Sequence, residues 1–214
     1  MIELRTEPVG DLRAYAAIPS SFEARSVLNV REQGSGFDLT ELALAAPFRK
    51  NYDHLEDPLA WPRTFDTRRW VLLSALLASE RVGGVIVAMD TPEIDLLEDR
   101  TDLAVLWDLR VAPAHRRRSV ATTLLGAAQA WARGAGCTEL KVETQNTNPV
   151  ACRFYEHSGF VLSEVRPGAY RDLPDDVQLI WRKRLDGLQN PPPHGKAAQA
   201  GAGQSRRSCW SRRE

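Results

Sequence analysis

The segment "LAVLWDLRVAPAHRRRSVATTLL", Leu103 to Leu125, constrains the fold of this chain most, because the hydrophobic period changes once inside it. Leu103 to Val111 reads as a buried strand, and Pro113 cannot continue its ladder. Beyond the junction, Val120, Leu124, Leu125, Ala128 and Trp131 recur at helical spacing until "RGAGC" stops the helix at Gly134 to Gly136. A strand handed directly to a helix is a building block of mixed α/β folds. Between the two lie three consecutive arginines, Arg116, Arg117 and Arg118.

A basic run alone is more often a solvated face than a binding surface. Its place decides its reading here. A helix N-terminus leaves its first backbone N–H groups without intrahelical partners, and the helix dipole is positive there. Such a terminus suits a phosphate, and arginines beside it add charge-assisted bonds to phosphate oxygens. A nucleic-acid surface is disfavoured, because 28 basic and 28 acidic residues leave no net charge over 214 residues.

The remaining chain supports one domain followed by a tail. "RSVLNVRE" from Arg25 and "FDLTELAL" from Phe37 read as strands. Trp70–Leu77 and Gly83–Met89 read as a β-hairpin joined by Ser79 to Arg81. After the helix come a strand from Thr138, a short helix from about Asn148 to Glu156, and strands at Val161–Val165 and Val177–Trp181. The order is several strands and then β-α-β-α-β-β, a mixed α/β sheet over residues 1–185. Residues 186–214, rich in Pro, Gly, Ala, Ser and Arg, read as a flexible basic tail. The three widely spaced cysteines form neither a disulfide framework nor a zinc pattern, and reduced thiols fit a cytoplasmic protein. The N-terminus is not a signal peptide, and the apolar stretch from Trp70 is too short to span a bilayer.

Two segments carry a family resemblance. "LRVAPAHRRRSVATTLL" resembles the acetyl-CoA loop Q/R-x-x-G-x-G/A of the GNAT N-acetyltransferases, with Arg116, Ser119 and Ala121 at its defining places. Serine stands where the family usually has glycine, so Ser119 is expected in an ordinary backbone conformation, as an N-cap. "NPVACRFYEHSGF" is similar to the family's N-x-x-A-x-x-x-Y-x-x-x-G-F, with Asn148, Ala151, Tyr155, Gly159 and Phe160 in register. Over about residues 25–185 the chain also looks like the streptothricin acetyltransferases, through "ELKVETQNTNPVACRFYEHSGFVLSEV", "FDLTELALAAPFRKNY" and "VQLIWRKRL".

The resemblance implies a mostly antiparallel sheet flanked by helices. It also implies a parallel pair, Leu103–Val111 and Thr138–Gln145, that splays apart at the cofactor. Acetyl-CoA is then the co-substrate, held by Leu109, Arg110, Val111, Arg116, Arg117, Arg118, Ser119, Val120, Ala121, Asn148 and Tyr155. A small molecule bearing a primary amine, streptothricin above all, is the acceptor; other amines and a non-catalytic coenzyme A-binding domain are the alternatives. No nucleic acid or membrane partner is implied, and the chain is expected as a monomer or homodimer.

Acetyl transfer needs a neutral amine and a departing thiolate. Deprotonating an amine of pKa ~10.4 at pH 7 costs about 4–5 kcal/mol, so a base is useful. The thiolate, with pKa ~8.5, needs only weak acid help. The resemblance puts Tyr155 near the sulfur as that acid. Asp108 and Glu143 are candidate bases on the two strands expected to splay; equally, each reads as a strand carboxylate facing water or pairing with Arg110 or Lys141. Asp38 and Glu41 are weaker candidates for holding a cationic substrate. Cys152 reads as a small core residue and His115 as a contact to solvent or phosphate, neither with a catalytic role.

Overall fold

The computed structural model describes residues 1–187. The tail read at 186–214 therefore lies almost wholly outside the described residues. Strand β1 (Glu3–Glu7) and the single-turn helix α1 (Arg13–Ala16) precede a long pair, β2 (Ser21–Gln33) and β3 (Gly36–Asn51). Then follow α2 (Trp61–Thr64), β4 (Val71–Leu77), β5 (Glu80–Met89), β6 (Leu103–Val111), α3 (Val120–Gly134), β7 (Glu139–Gln145), α4 (Pro149–His157), β8 (Val161–Pro167) and β9 (Val177–Arg184). No helix among the described residues is long and apolar enough to cross a membrane.

Seven strands form one sheet in the order β1-β4-β5-β6-β7-β9-β8. Its neighbours are antiparallel except β6 and β7, which are parallel with α3 as the crossover. The change of period at Pro113 thus marks a connection that must cross over the sheet, and α4 makes a second crossover from β7 to β8, which run parallel on either side of β9. The face under α3 and α4 packs Val85, Val87, Leu106, Val120, Leu124, Leu125, Ala128, Leu140 and Val142. The opposite face packs Tyr15, Trp61, Phe65, Trp70, Val105, Trp107 and Ile180 under α1, α2 and the loops. Gly83 and Gly84 bring the two layers close. A Cβ on Gly83 would lie 2.9 Å from the Arg110 carbonyl and 3.0 Å from Val120 Cγ1, and one on Gly84 would lie 2.9 Å from the Tyr15 ring.

Two expectations change. β2 and β3 form their own two-stranded ribbon rather than joining the main sheet. Its register jumps from Ser26↔Ala43 to Ala24↔Phe48, so Leu44 to Pro47 stand opposite Arg25 alone. The β4–β5 turn is Ala78-Ser79, both at positive φ (48° and 70°), and β5 starts at Glu80. The expected hairpin is present, but neither turn residue is Gly or Asn, so no turn signal fixed its exact joint. β1 and α1 were not legible, because a strand of four exposed residues and one half-buried one, and a single helical turn, show no period.

Candidate active site

β6 and β7 pair only from Leu103↔Glu139 to Leu106↔Val142. Each then follows its other neighbour: β6 stays with β5 as far as Gly83↔Val111, and β7 stays with β9 as far as Gln145↔Gln178. The facing edges of the parallel pair therefore separate. A cleft of about 590 Å³ opens there, walled by Leu106–Val111, Val142–Thr144, the first turn of α3, and Asn148, Phe154 and Tyr155 of the α4 segment. A bulge helps to shape it. Ile86 pairs with Asp108 and Val87 with Leu106, leaving Trp107 as the extra residue. Trp107 and Asp108 consequently turn toward the same face of the sheet.

At one end of the cleft, the α3 N-terminus opens onto the wall through Ser119, Val120, Ala121 and Thr122. The Thr123 N–H bonds back to the Ser119 carbonyl at 2.9 Å, so the preceding helical N–H groups have no earlier turn to bond. Ser119 departs from expectation. It sits at φ 61° and ψ 6°, left-handed, and its side chain makes no cap bond. Arg117 is also left-handed, at φ 62°. The chain must reverse sharply between the Pro113–His115 turn and α3, and it does so through residues without glycine's freedom.

The three arginines separate. Arg116 donates to the carbonyls of Val111, Pro19 and Ser21 at 3.1, 3.2 and 3.1 Å, fastening the loop to β2. Arg116, Arg117 and His115 all line the cleft, whereas Arg118 is exposed and outside its wall.

The other end is acidic. Asp108 and Glu143, each 6% exposed, both line the cleft. Asp108 accepts from Arg110 Nε at 2.6 Å, the pairing that was one of its two sequence readings. Arg110 also donates to Asp53 at 2.7 Å and to the Ile18 carbonyl at 3.0 Å, and its guanidinium lies 5.4 Å from the Tyr15 ring centroid. Its side chain is thus a strut of the wall, and any ligand contact from Arg110 falls to its backbone. Burial opposes the Arg110 charge, but Asp108, Tyr15 and Asp53 outweigh it and raise the pKa. Burial pushes Asp53 up, yet bonds from Ser20 and Arg110 hold it below the usual carboxylate range. Glu143 does not pair with Lys141, which binds Glu98 at 2.6 Å; it accepts from the Tyr170 hydroxyl at 2.6 Å.

The α4 segment follows helix-terminus chemistry. Asn148 caps it, its side chain accepting from the Ala151 N–H at 3.1 Å, with Pro149 at the first helical position. Gly159, at φ 82°, ends it. Tyr155 is 6% exposed, edge-on to Phe160 at 5.5 Å and to Phe154 at 5.1 Å. Cys152 lies 3.3 Å from Thr144 Oγ1 in the core, and burial pushes its thiol up to about 11. Glu41 accepts from Ser26 and Arg153, Asp38 accepts from Thr40, and neither lines the cleft. Of four side chains around the acidic end, Tyr15 and Tyr170 lie where no sequence period or motif marks them, and Tyr52 and Asp53 fall at the edge of a resemblance segment that assigns them no role.

The chain matches the acetyltransferase (GNAT) family model over residues 38–160. It is 28% identical over 167 residues to the streptothricin acetyltransferase of Escherichia coli, covering 75% of this chain and 83% of that one. Among solved structures, nourseothricin acetyltransferase aligns with a TM-score of 0.66 at 25% identity, over 86% of this chain and 98% of that one. A Bacillus anthracis protein in complex with acetyl coenzyme A shares the fold, with a TM-score of 0.70 at 22% identity over 86% of this chain and 99% of that one. Splayed parallel strands, the helix terminus at their mouth and a family match across both motif segments agree: this chain belongs to the GNAT acetyltransferases.

Proposed function

We propose that this chain, through residues 1–185, transfers the acetyl group of acetyl-CoA to a cationic primary amine, and that the amine belongs to streptothricin. The observation that carries the reading is the polarity of the cleft. One end offers the α3 amides and Arg117, and the other offers Asp108 and Glu143.

The amides of Ser119 to Ala121, with Arg117, suit the pyrophosphate. The backbone of Leu109 to Val111, freed from β7, suits the amide groups of the pantetheine arm. When bound, acetyl-CoA supplies a thioester whose acyl carbon an amine can attack. Glu143 holds the ammonium group and takes its proton; Asp108 is the second candidate, its carboxylate already paired with Arg110. Tyr155, in the cleft wall, gives a proton to the departing sulfur. Asn148 contributes by capping the helix that carries Tyr155. Arg116 contributes by anchoring the phosphate loop, and Arg118 only by general positive charge.

Streptothricin is favoured by the Escherichia coli relative, a streptothricin acetyltransferase that this chain matches over 83% of its length. The test is release of free coenzyme A thiol from acetyl-CoA, with and without streptothricin. Streptothricin-dependent release supports the reading. Release that depends instead on an aminoglycoside or polyamine would move the acceptor and keep the chemistry. Bound acetyl-CoA without release for any amine would make the chain a coenzyme A-binding domain.

A further inference from the structure

Tyr170 belongs to neither motif segment and lies between β8 and β9, yet it reaches the acidic end of the cleft. It is 4% exposed, and its hydroxyl donates to Glu143 Oε1 at 2.6 Å. Its loop is pinned from three parts of the chain. The Leu173 N–H bonds the Tyr170 carbonyl at 3.3 Å and the Asp176 N–H bonds the Leu173 carbonyl at 3.0 Å. Asp176 in turn forms a buried ion pair with Lys50 of β3 and accepts from Thr147 Oγ1 at 3.2 Å.

A glutamate side chain has several rotamers of similar energy, and freezing them costs conformational entropy. A phenol fixed on one carboxylate oxygen meets that cost before the substrate arrives, and it also favours the ionised carboxylate. The phenol itself is no base: burial first, then the Glu143 charge, raises the Tyr170 pKa well above the ordinary tyrosine value. We propose that Tyr170 is a positioning residue for the acceptor amine, aiming the Glu143 carboxylate into the cleft by holding one of its oxygens. This rests on the reading of Glu143 as the residue that receives the amine.

The charged and titratable groups facing Glu143 are Tyr170, Tyr52 just after β3, and Asp108 across the cleft, with the Lys50–Asp176 pair behind Tyr52. Both tyrosines are pushed up by burial, so neither titrates in the acidic range.

The experiment follows Glu143 directly by carboxyl ¹³C NMR, assigned with Glu143→Gln, in the wild type, in Tyr170→Phe and with 3-fluorotyrosine at position 170. The expected result is a titration midpoint that rises by about half to one unit in Tyr170→Phe and falls with the stronger fluorinated donor. In parallel, Tyr170→Phe should raise the KM for streptothricin about 5–10-fold, leave that for acetyl-CoA unchanged, and add less than about twofold in the Glu143→Gln background. An unmoved midpoint, or an equal loss on top of Glu143→Gln, would overturn the proposal whatever the acceptor. A shifted midpoint with no streptothricin-dependent thiol release would support the anchoring and count against the substrate alone.

Discussion

Asp108 and Arg110 stand on the same side of one strand and close a 2.6 Å ion pair in the wall of the cleft, so the cation nearest the acidic end is the protein's own. Arg110 is 2% exposed and also binds Asp53. Removing it leaves Asp108 as an uncompensated buried charge. Arg110→Met is therefore expected to lower stability by about 3–5 kcal/mol. At roughly 2–4 °C per kcal/mol this is a fall in Tm of about 6–20 °C. Asp108→Asn, which keeps a hydrogen-bond acceptor, should cost less. A Tm for Arg110→Met within a degree of the wild type would show that the pair is not a strut.

The left-handed Ser119 invites relief. A non-glycine residue in this region costs on the order of 1–2 kcal/mol, and glycine's extra freedom in the unfolded chain offsets roughly 0.4–1 of that. Ser119→Gly is expected to raise Tm by a few degrees while Ser119→Ala does not, measured by thermal unfolding. Equal behaviour of the two variants would mean that the backbone there is unstrained.

Tyr155 separates chemistry from binding. Proton donation to a leaving group typically contributes about 10²–10⁴-fold, and a thiolate of pKa ~8.5 lies at the undemanding end. Tyr155→Phe should lower kcat by roughly 100-fold with acetyl-CoA affinity within about twofold, by turnover and calorimetry. A loss of affinity with kcat intact would make Tyr155 a wall residue only.

Stability should fall in acid. Glu98 and Glu164 are each pushed up by burial, but bonds and charges from Lys141, Arg166 and Arg182 outweigh it and hold both below 4.5. Arg100 and Thr138 hold Asp102 at about 2, from 3.8. Carboxylates with depressed folded pKa values stabilise the native state fully above the unfolded values and lose that contribution as pH falls through the folded ones. Tm is therefore expected to stay level down to about pH 4.5 and to drop progressively toward pH 2. A Tm unchanged between pH 5 and pH 2.5 would contradict these pairings.

Local chemistry was legible in the sequence. The hydrophobic period from Val120 placed α3, Pro113 ended the strand before it, and Asn148-Pro149 with Gly159 bounded α4. Each depends on residues within a few positions of one another, and such rules hold wherever the segment ends up. That the loop–helix junction and Tyr155 face one cleft does not follow from these local rules; before any strand order was known, only the family resemblance implied it.

The acidic end of the cleft depends on partners far apart in the chain. Tyr170 meets Glu143 across 27 residues, Asp53 meets Arg110 across 57, and the Ile18 carbonyl meets Arg110 across 92. No period or spacing encodes those meetings. They exist because β9 inserts between β7 and β8, because a bulge at Trp107 puts Asp108 and Arg110 on the same face as Trp107, and because Gly84 leaves room for Tyr15. The sequence by itself determined where the strand hands over to the α3 N-terminus, since a helix terminus is a local object. Only the tertiary structure decided which carboxylate is tied to an arginine and which to a phenol, because side-chain electrostatics is set by neighbours in space.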